Sequence, residues 1–422
     1  MTDKPSTTHH LPATPDTVHW GYFSRTLSPV LTIASGESVS IESITHHAND
    51  DYERMIAGDA AAEEIFRWTR DAKTMRRRGA GSTEGPFTHG NGEGLGVHLL
   101  TGPIAVEGAE PGDIIEVRVL DMWPRPSANP AYAGRFFGSN PSANWGFQYN
   151  DLITEPKQRE VVTLYELDMT ERSVSALYSY LWTPQTDPDG IVHPTIDYPG
   201  VRVDHSTVTK QDGVLAGIKV PARLHFGTMG LAPAEADFVS TIPPNYTGGN
   251  MDDWRIAKGA TMYYPVAVEG GLFSCGDAHA TQGDSELSGT AVEISLTGAF
   301  QFILHKKADL PGTVLEGLTH PLLETPDLWS VYGFSVPNYL SELGPDPQQA
   351  ILSRGSLDDA MRDAFRKLRR FLMTVHGLSE DEAISLMSIA ADFAVTQVVD
   401  ANWGVTGSIR RSLFKGRQGA VR

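Results

Sequence analysis

Short runs in which apolar and polar residues alternate, opened by glycine turns, recur along this chain and restrict it to a sheet-based fold. Gly36-Glu37 leads into Val39 and Ile41, set between Ser38, Ser40 and Glu42. Gly112-Asp113 leads into Ile115, Val117 and Val119, set between Glu116 and Arg118. A period of two puts the apolar residues of each run on one face of a strand. Strand-like stretches also occupy 30–33, 160–165, 215–224, 260–268, 271–275, 289–296 and 300–304. The 41 glycines and 27 prolines supply the turns between them. The two glycine–acid launches hint at two related β units, and 30–33 with 39–41 reads as two strands around the Ser35-Gly36 turn.

The pattern changes near the C-terminus. Ser356 is a helix N-cap, and Leu357, Met361, Ala364, Phe365, Leu368, Phe371, Leu372 and Val375 follow at helical spacing until Gly377. Ser379 and Glu382 form a second capping box, predicting a helix through Ile384, Met387, Ala391 and Phe393. A short helical pattern spans 51–72, and a glycine-rich loop spans 76–93, with Arg76, Arg77 and Arg78 as a solvated run. The expected fold is mainly β (α+β): a barrel- or sandwich-like body with a helical C-terminal segment. Residues 1–15 read as a disordered tail, 16–345 as a β-rich catalytic body of two related units, and 346–422 as the helical segment.

A formal charge of -18 argues against nucleic acid, which needs clustered Lys and Arg. The one cysteine, Cys275, cannot form an intrachain disulfide, which fits a reducing compartment. No stretch of about 18 apolar residues is present to span a membrane, and the polar N-terminus does not read as a secretory signal. The expected location is the cytoplasm.

Four polar clusters interrupt the strand pattern: 45–51 (with His46, His47, Asp50 and Asp51), 94–103 (with His98), 243–253 (with Asn250, Asp252 and Asp253) and 275–286. The last holds Asp277, His279, Asp284 and Glu286 among small residues, a composition unlike a packed core. Asp277 and His279 are two apart, so on a strand they share a face, and Asn250 and Asp252 have the same spacing. Imidazole with carboxylates suits a catalytic zinc that keeps one position open for water. Glu286 enters the apolar run 287–296, where partial desolvation raises a carboxyl's pKa and suits it to acid–base work. Trp145 lies in an aromatic, proline-rich segment suited to walling a pocket. Structural alternatives stand beside these readings. Asp252 and Asp253 would cap the Trp254-Arg255 turn, Asp284 would be a turn residue, and Cys275 a small buried side chain. Hard oxygen donors at Asp277, Asp284 and Glu286 would also suit Ca²⁺ in a non-catalytic binding module.

These clusters resemble the acetamidase/formamidase family. The resemblance is carried by Gly96-Val97-His98-Leu99-Leu100-Thr101-Gly102-Pro103-Ile104, Gly227-Thr228-Met229-Gly230-Leu231-Ala232-Pro233, Gly248-Gly249-Asn250-Met251-Asp252 and the run from Gly276 to Glu286. It extends from about Val18 to the C-terminus. The 45–51 phrase and the helical tail resemble the longer, formamidase-like branch, and Ser285 stands where the family pattern often has glycine. The resemblance implies hydrolysis of a short amide, formamide or acetamide, to carboxylate and ammonia, with a role in nitrogen metabolism. It implies a β-rich fold with swivelling barrel-like units and a homo-oligomer, and it extends to metal-containing lactam hydrolases. Combined with residue chemistry, it makes His98, Asp252, Asp277 and His279 the candidate ligands of a divalent metal, zinc or alternatively calcium. Glu286 and His98 are then the candidate catalytic residues, and Trp145, Asn250 and Gln282 the candidate substrate contacts. A cyclic or larger amide is the alternative substrate.

Overall fold

The computed structural model describes residues 7–67, 95–149, 152–154, 160–188, 190, 192–196 and 200–415. Two large sheets dominate. The first has nine strands in the order His9–Leu11, Ser38–Glu42, Leu296–His305, Ile114–Pro124, Thr261–Pro265, Leu322–Glu324, Leu328–Phe334, Gly404–Arg410 and Ala391–Gln397. The second has twelve strands, and its centre sets Phe136–Ser142, Glu293–Ile294, Phe273–His279, His225–Gly230 and Gly248–Asn250 side by side. Leu99–Val106 also pairs with Phe273–His279.

The alternating runs explain how the sheets meet. Val39, Ile41, Val117, Val119, Phe300 and Phe302 from the first sheet are buried in one cluster with Ile104, Phe226, Met229 and Phe273 from the second. The Phe273 and Phe302 rings meet edge to face at 5.1 Å, and Phe226 meets Phe300 at 5.5 Å. Each buried ring contributes on the order of 1.5–3 kcal/mol of transfer free energy. The two glycine-launched strands, Ser38–Glu42 and Ile114–Pro124, flank Leu296–His305 on opposite sides. The β-rich, sandwich-like expectation therefore holds. Neither sheet closes into a barrel among the described residues.

The two strands expected around the Ser35-Gly36 turn are present as Leu31–Ile33 and Ser38–Glu42, and they join different sheets. The former pairs with Leu99–Val106 in the second sheet and the latter with Leu296–His305 in the first, so the Ser35-Gly36 turn links the two sheets. Several local expectations are corrected. Part of the expected disordered tail is a strand: His9–Leu11 pairs in parallel with Ser38–Glu42 and buries Leu11. Within 215–224 only Val220–Pro221 is extended, and Leu215 and Ile218 are exposed, because that stretch lies outside either core. The helical pattern over 51–72 resolves into Tyr52–Met55 and Ala60–Ile65, separated at Gly58. The end of that pattern and the 76–93 loop with Arg76, Arg77 and Arg78 lie outside the described residues.

The C-terminal helices start where their caps place them. Ser356 Oγ accepts from the Asp359 amide at 3.2 Å before Leu357–His376, and Gly377 closes that helix with φ of 60°. The Ser379/Glu382 capping box opens Glu380–Ala390. The chain then leaves the helix at Ala391 and forms Ala391–Gln397, paired with Gly404–Arg410. Pairing with a neighbouring strand overrides the helical spacing of Ala391 and Phe393. The segment is therefore helical and also completes the first sheet. Among the described residues no helix is long and apolar enough to cross a membrane.

The Leu357–His376 helix lies against this sheet at Gly333. A Cβ there would sit 2.2 Å from the Ala364 nitrogen and 2.3 Å from the Ala360 oxygen. Both obstacles are backbone, so the helix as a whole must move. Gly333→Ala is expected to lose about 3 kcal/mol, the upper end of ordinary overpacking, read as a lower urea midpoint at unchanged m-value.

Candidate active site

The site is built on Phe273–His279, flanked by Leu99–Val106, His225–Gly230 and Glu293–Ile294. Thr228 faces Gly276 and Phe226 faces Ala278, which sets Gly227 opposite Asp277. A Cβ on Gly227 would fall 2.3 Å from Asp252 Oδ1, 2.6 Å from His279 Cε1 and 2.7 Å from Asp277 Oδ2. Three functional side chains therefore converge over a residue that must lack one of its own.

The backbone is held in uncommon conformations around this point. Asp252, Asp277, Ser285 and Glu286 have φ of 44°, 54°, 83° and 48°. Left-handed non-glycine residues cost about 1–3 kcal/mol each and persist where their surroundings over-determine them. For Glu286 the constraint is visible. The Ser285 amide donates to the carbonyls of Val395 (3.0 Å) and Thr396 (2.9 Å), and the Val398 amide donates to the Ser285 carbonyl at 3.1 Å.

These elements enclose a cavity of about 200 Å³. His46, His47, His98, Asp252, Asp277, Glu286, Glu293 and Asp400 line it, and no lysine or arginine does among the described residues. Val97, Trp145, Ile196, Ile242 and Val399 complete the wall. Asp277 is the hub. Its carboxylate lies 3.8 Å from His46 Nδ1, 3.6 Å from His98 Nε2 and 3.5 Å from His279 Nε2, which is also 3.3 Å from Glu293 Oε1.

Ligand atoms cluster in three overlapping sets: His46, His98 and Asp277; Asp277, His279 and Glu293; and Asp252, His279 and Glu286. Both Asp252 oxygens, His46 Nδ1, His279 Nε2 and Glu293 Oε2 are buried without a hydrogen-bond partner. Native proteins seldom leave so many buried polar atoms unsatisfied in one place. Imidazole nitrogens and carboxylate oxygens at these separations fit a divalent cation.

Without a cation the charges divide unevenly. Burial would raise Asp277, but His98, His279 and His46 outweigh it and hold its carboxyl well below the usual range. Burial pushes Asp252 and Glu286 well up, reinforced by Asp400 and Asp252 respectively. Asp400 is also raised well, by burial and then by Glu286. Burial, followed by His47 and His98, pushes His46 well down.

The expected residues are mostly brought together. His98, Asn250, Asp252, Asp277, Glu286 and Trp145 line the cavity, and His279 touches Asp277 and Glu293. Trp145 donates its indole N–H to the Gly289 carbonyl at 3.1 Å. Gln282 is not on the cavity wall: its Nε2 donates to the Asp252 carbonyl at 2.8 Å. Asp284 accepts from Trp254 Nε1 at 2.8 Å and from Arg255, so Asp277, Asp284 and Glu286 do not assemble as an oxygen cage. Asp253, not Asp252, caps the Trp254-Arg255 turn, accepting from the Arg255 amide at 3.0 Å. Cys275 is buried, and burial pushes its thiol up.

Four ionisable lining residues, His46, His47, Glu293 and Asp400, lay outside the expected set. His46 and His47 belong to a polar cluster recognisable in sequence, and their place after an alternating strand was the available signal. Glu293 sits in an ordinary strand pattern, and Asp400 follows a segment that reads as helix.

Gly227→Ala is expected to displace Asp252, Asp277 or His279 and to weaken divalent-cation binding by roughly 100-fold, the upper range for losing ligand support. Titration against a chromogenic chelator measures it, with a melting curve to confirm the fold.

Comparison with known proteins identifies the family. The Acetamidase/Formamidase family pattern matches residues 95–240 and 235–415. An acetamidase of Mycolicibacterium smegmatis is 30% identical over 211 residues, 45% of this chain and 49% of that protein. A formamidase of Methylophilus methylotrophus is 30% identical over 211 residues, 46% of this chain and 47% of that protein. The chain thus spans about half the length of the curated relatives it matches. The crystal structure of an acetamidase from Yersinia enterocolitica shares the fold, with a TM-score of 0.63 at 24% identity, covering 98% of this chain and 94% of the other. The family pattern covers His98, Asp252, Asp277, His279 and Glu286, and on that match the chain belongs to the Acetamidase/Formamidase family.

Proposed function

We propose that this protein hydrolyses a short-chain amide, formamide or acetamide, to a carboxylate and ammonia with the help of a divalent cation. The observation that carries the reading is the buried convergence of imidazole and carboxylate ligand atoms on one cavity, without lysine or arginine among the described residues. Asp277, shared by two ligand sets, anchors the cation, with His46 and His98 from one set and His279 and Glu293 from the other. The imidazole share of these sets favours zinc over calcium, which takes oxygen ligands.

When bound, the cation polarises the amide carbonyl and lowers the pKa of bound water to roughly 7. The protein's own groups do the rest. Glu286 lines the same cavity, and burial followed by Asp252 raises its proton affinity. A carboxylate of raised proton affinity takes a proton from water and returns it to the departing nitrogen. The return matters because an amide anion is a very poor leaving group. Asn250 accepts the Thr228 hydroxyl hydrogen bond through Oδ1 at 2.6 Å, which leaves its N–H donors for the substrate.

A second reading is favoured by the apolar side of the cavity. Val97, Trp145, Ile196, Ile242 and Val399 face about 200 Å³, room for an acyl group larger than hydrogen or methyl. A larger or cyclic amide would bury this wall where formamide would not, at about 0.8 kcal/mol per methylene.

Cytoplasmic location and homo-oligomeric assembly belong to the same proposal. The lone cysteine is a free thiol. Ile384 and Ile389, on the Glu380–Ala390 helix, are 40% and 80% exposed, and an assembly would cover one or the other.

Ammonia release from formamide and acetamide by zinc-loaded protein tests the reaction. Activity should vanish with chelator and return with metal. Glu286→Gln should lower kcat by about 10²–10⁴-fold, the usual contribution of a general acid–base group. A Glu286→Gln variant with full turnover would remove that residue from the chemistry, and no release from any short amide would end the amidase reading. In a series of formamide, acetamide, isobutyramide and a five-membered lactam, the second reading expects kcat/KM to rise with acyl size. A steady fall along the series rejects it.

A further inference from the structure

His225 and Gln282 lie behind the ligand cluster, and neither lines the cavity that holds it. His225 is fully buried on the His225–Gly230 strand, directly across from His279. Its Nδ1 lies 2.6 Å from the Arg223 carbonyl oxygen. An oxygen at that distance requires a proton on Nδ1, so His225 Nδ1–H donates to Arg223. Among the described residues no carboxylate lies within ion-pair distance of His225, and a buried ring without such a partner is neutral. Its Nε2 is therefore a lone pair.

That lone pair belongs to a triangle. His225 Nε2, His279 Nδ1 and Gln282 Oε1 are separated by 3.0, 3.1 and 2.9 Å. The Gln282 amide cannot turn over, because its Nε2 donates to the Asp252 carbonyl at 2.8 Å. Two corners of the triangle are thus acceptors. One proton between them satisfies both, and it must come from the third corner, His279 Nδ1.

We propose that His225 and Gln282 are positioning residues that hold the His279 proton on Nδ1 and so present the His279 Nε2 lone pair to a divalent cation beside Asp277 and Glu293. His279 Nε2 is the atom found buried and without a hydrogen-bond partner. A ring nitrogen that binds metal takes its tautomer from the bond made by the other nitrogen. Here the fixing acceptor is a second imidazole, itself fixed by a backbone carbonyl. Gln282 ties the same network to the Asp252 backbone, so one amide sets both a ligand's tautomer and the position of a neighbouring carboxylate. The inference rests on the proposed cation in the cavity and adds how this chain prepares one of its ligands.

The experiment is zinc titration of the full chain against a chromogenic chelator, with histidine-labelled protein observed by long-range nitrogen–proton correlation. Zinc-loaded wild type should show His279 protonated at Nδ1 and not at Nε2. His225→Leu removes one acceptor and should weaken zinc binding about 10–100-fold. His225→Gln, whose Oε1 can accept in the same place, should recover most of that loss. Gln282→Leu should weaken binding similarly, and melting curves report whether each variant folds. A folded His225→Leu that binds zinc like wild type, or a zinc-loaded wild type with its His279 proton on Nε2, overturns the proposal. Wild-type protein that takes up no divalent cation overturns the cation reading itself, and the assigned role with it.

Discussion

Five carboxyl groups and three imidazoles line one buried cavity, and among the described residues no lysine or arginine balances them. Taking a carboxylate out of water costs several kcal/mol even after relaxation, and like charges held together cost more. Such a wall has two stable states. In one, protons satisfy Asp252, Glu286 and Asp400, whose proton affinity burial raises, while the imidazoles around Asp277 hold its carboxyl well below the usual range. In the other, a divalent cation replaces those protons. Metal uptake and proton release are then one event, since ligands must be deprotonated to bind. The charge pattern makes sense as a site for exchange between these states and poor sense as packing.

The backbone has to tolerate what the side chains demand. Gly227 is bare so that Asp252, Asp277 and His279 can converge, and its position opposite Asp277 is set by the register of two antiparallel strands. Left-handed φ at Asp252 and Asp277 turns those carboxyls toward the common point. None of this is favourable locally. It persists because Phe273–His279 is paired on both sides within the core of the second sheet. A rigid, fully paired strand can hold strained neighbours where a loop would relax.

Much of this was legible in the residues, and the parts that were not have identifiable physical reasons. Alternation revealed the strands, and small residues interleaved with Asp and His marked 275–286 as something other than core. Caps located both C-terminal helices. Pairing was hidden, because alternation defines a strand's faces but not its partner. Nothing in the residues of Leu31–Ile33 and Ser38–Glu42 says that these strands, one turn apart, belong to different sheets. Glu293 was hidden because a carboxylate in an alternating run normally faces solvent, whereas this one faces His279. Gln282 looked like a substrate contact because it sits in the polar motif, yet both ends of its amide are committed within the protein. The family resemblance supplied the reaction class, and residue chemistry supplied four of the eight ionisable residues on the cavity wall, His98, Asp252, Asp277 and Glu286.

Asp400 shows why the first sheet matters to a site built on the second. Ala391–Gln397 is the edge strand of the nine-stranded sheet, and an open edge offers unpaired amides and carbonyls. Here the end of that edge is taken by Ser285, whose amide and carbonyl bond to residues 395–398. The same hydrogen bonds that close the edge hold the strained turn carrying Glu286. The chain then continues through Val399 and Asp400, both on the cavity wall, before it returns as Gly404–Arg410. Asn402 ties this return to the neighbouring segment, donating to the carbonyls of Pro244 (2.9 Å) and Val336 (3.1 Å). The loop bearing Asn250 and Asp252 follows Pro244 directly, so one short connection braces two walls of the cavity. A C-terminal segment that reads as packing helices is therefore part of the site, through the strand that follows them.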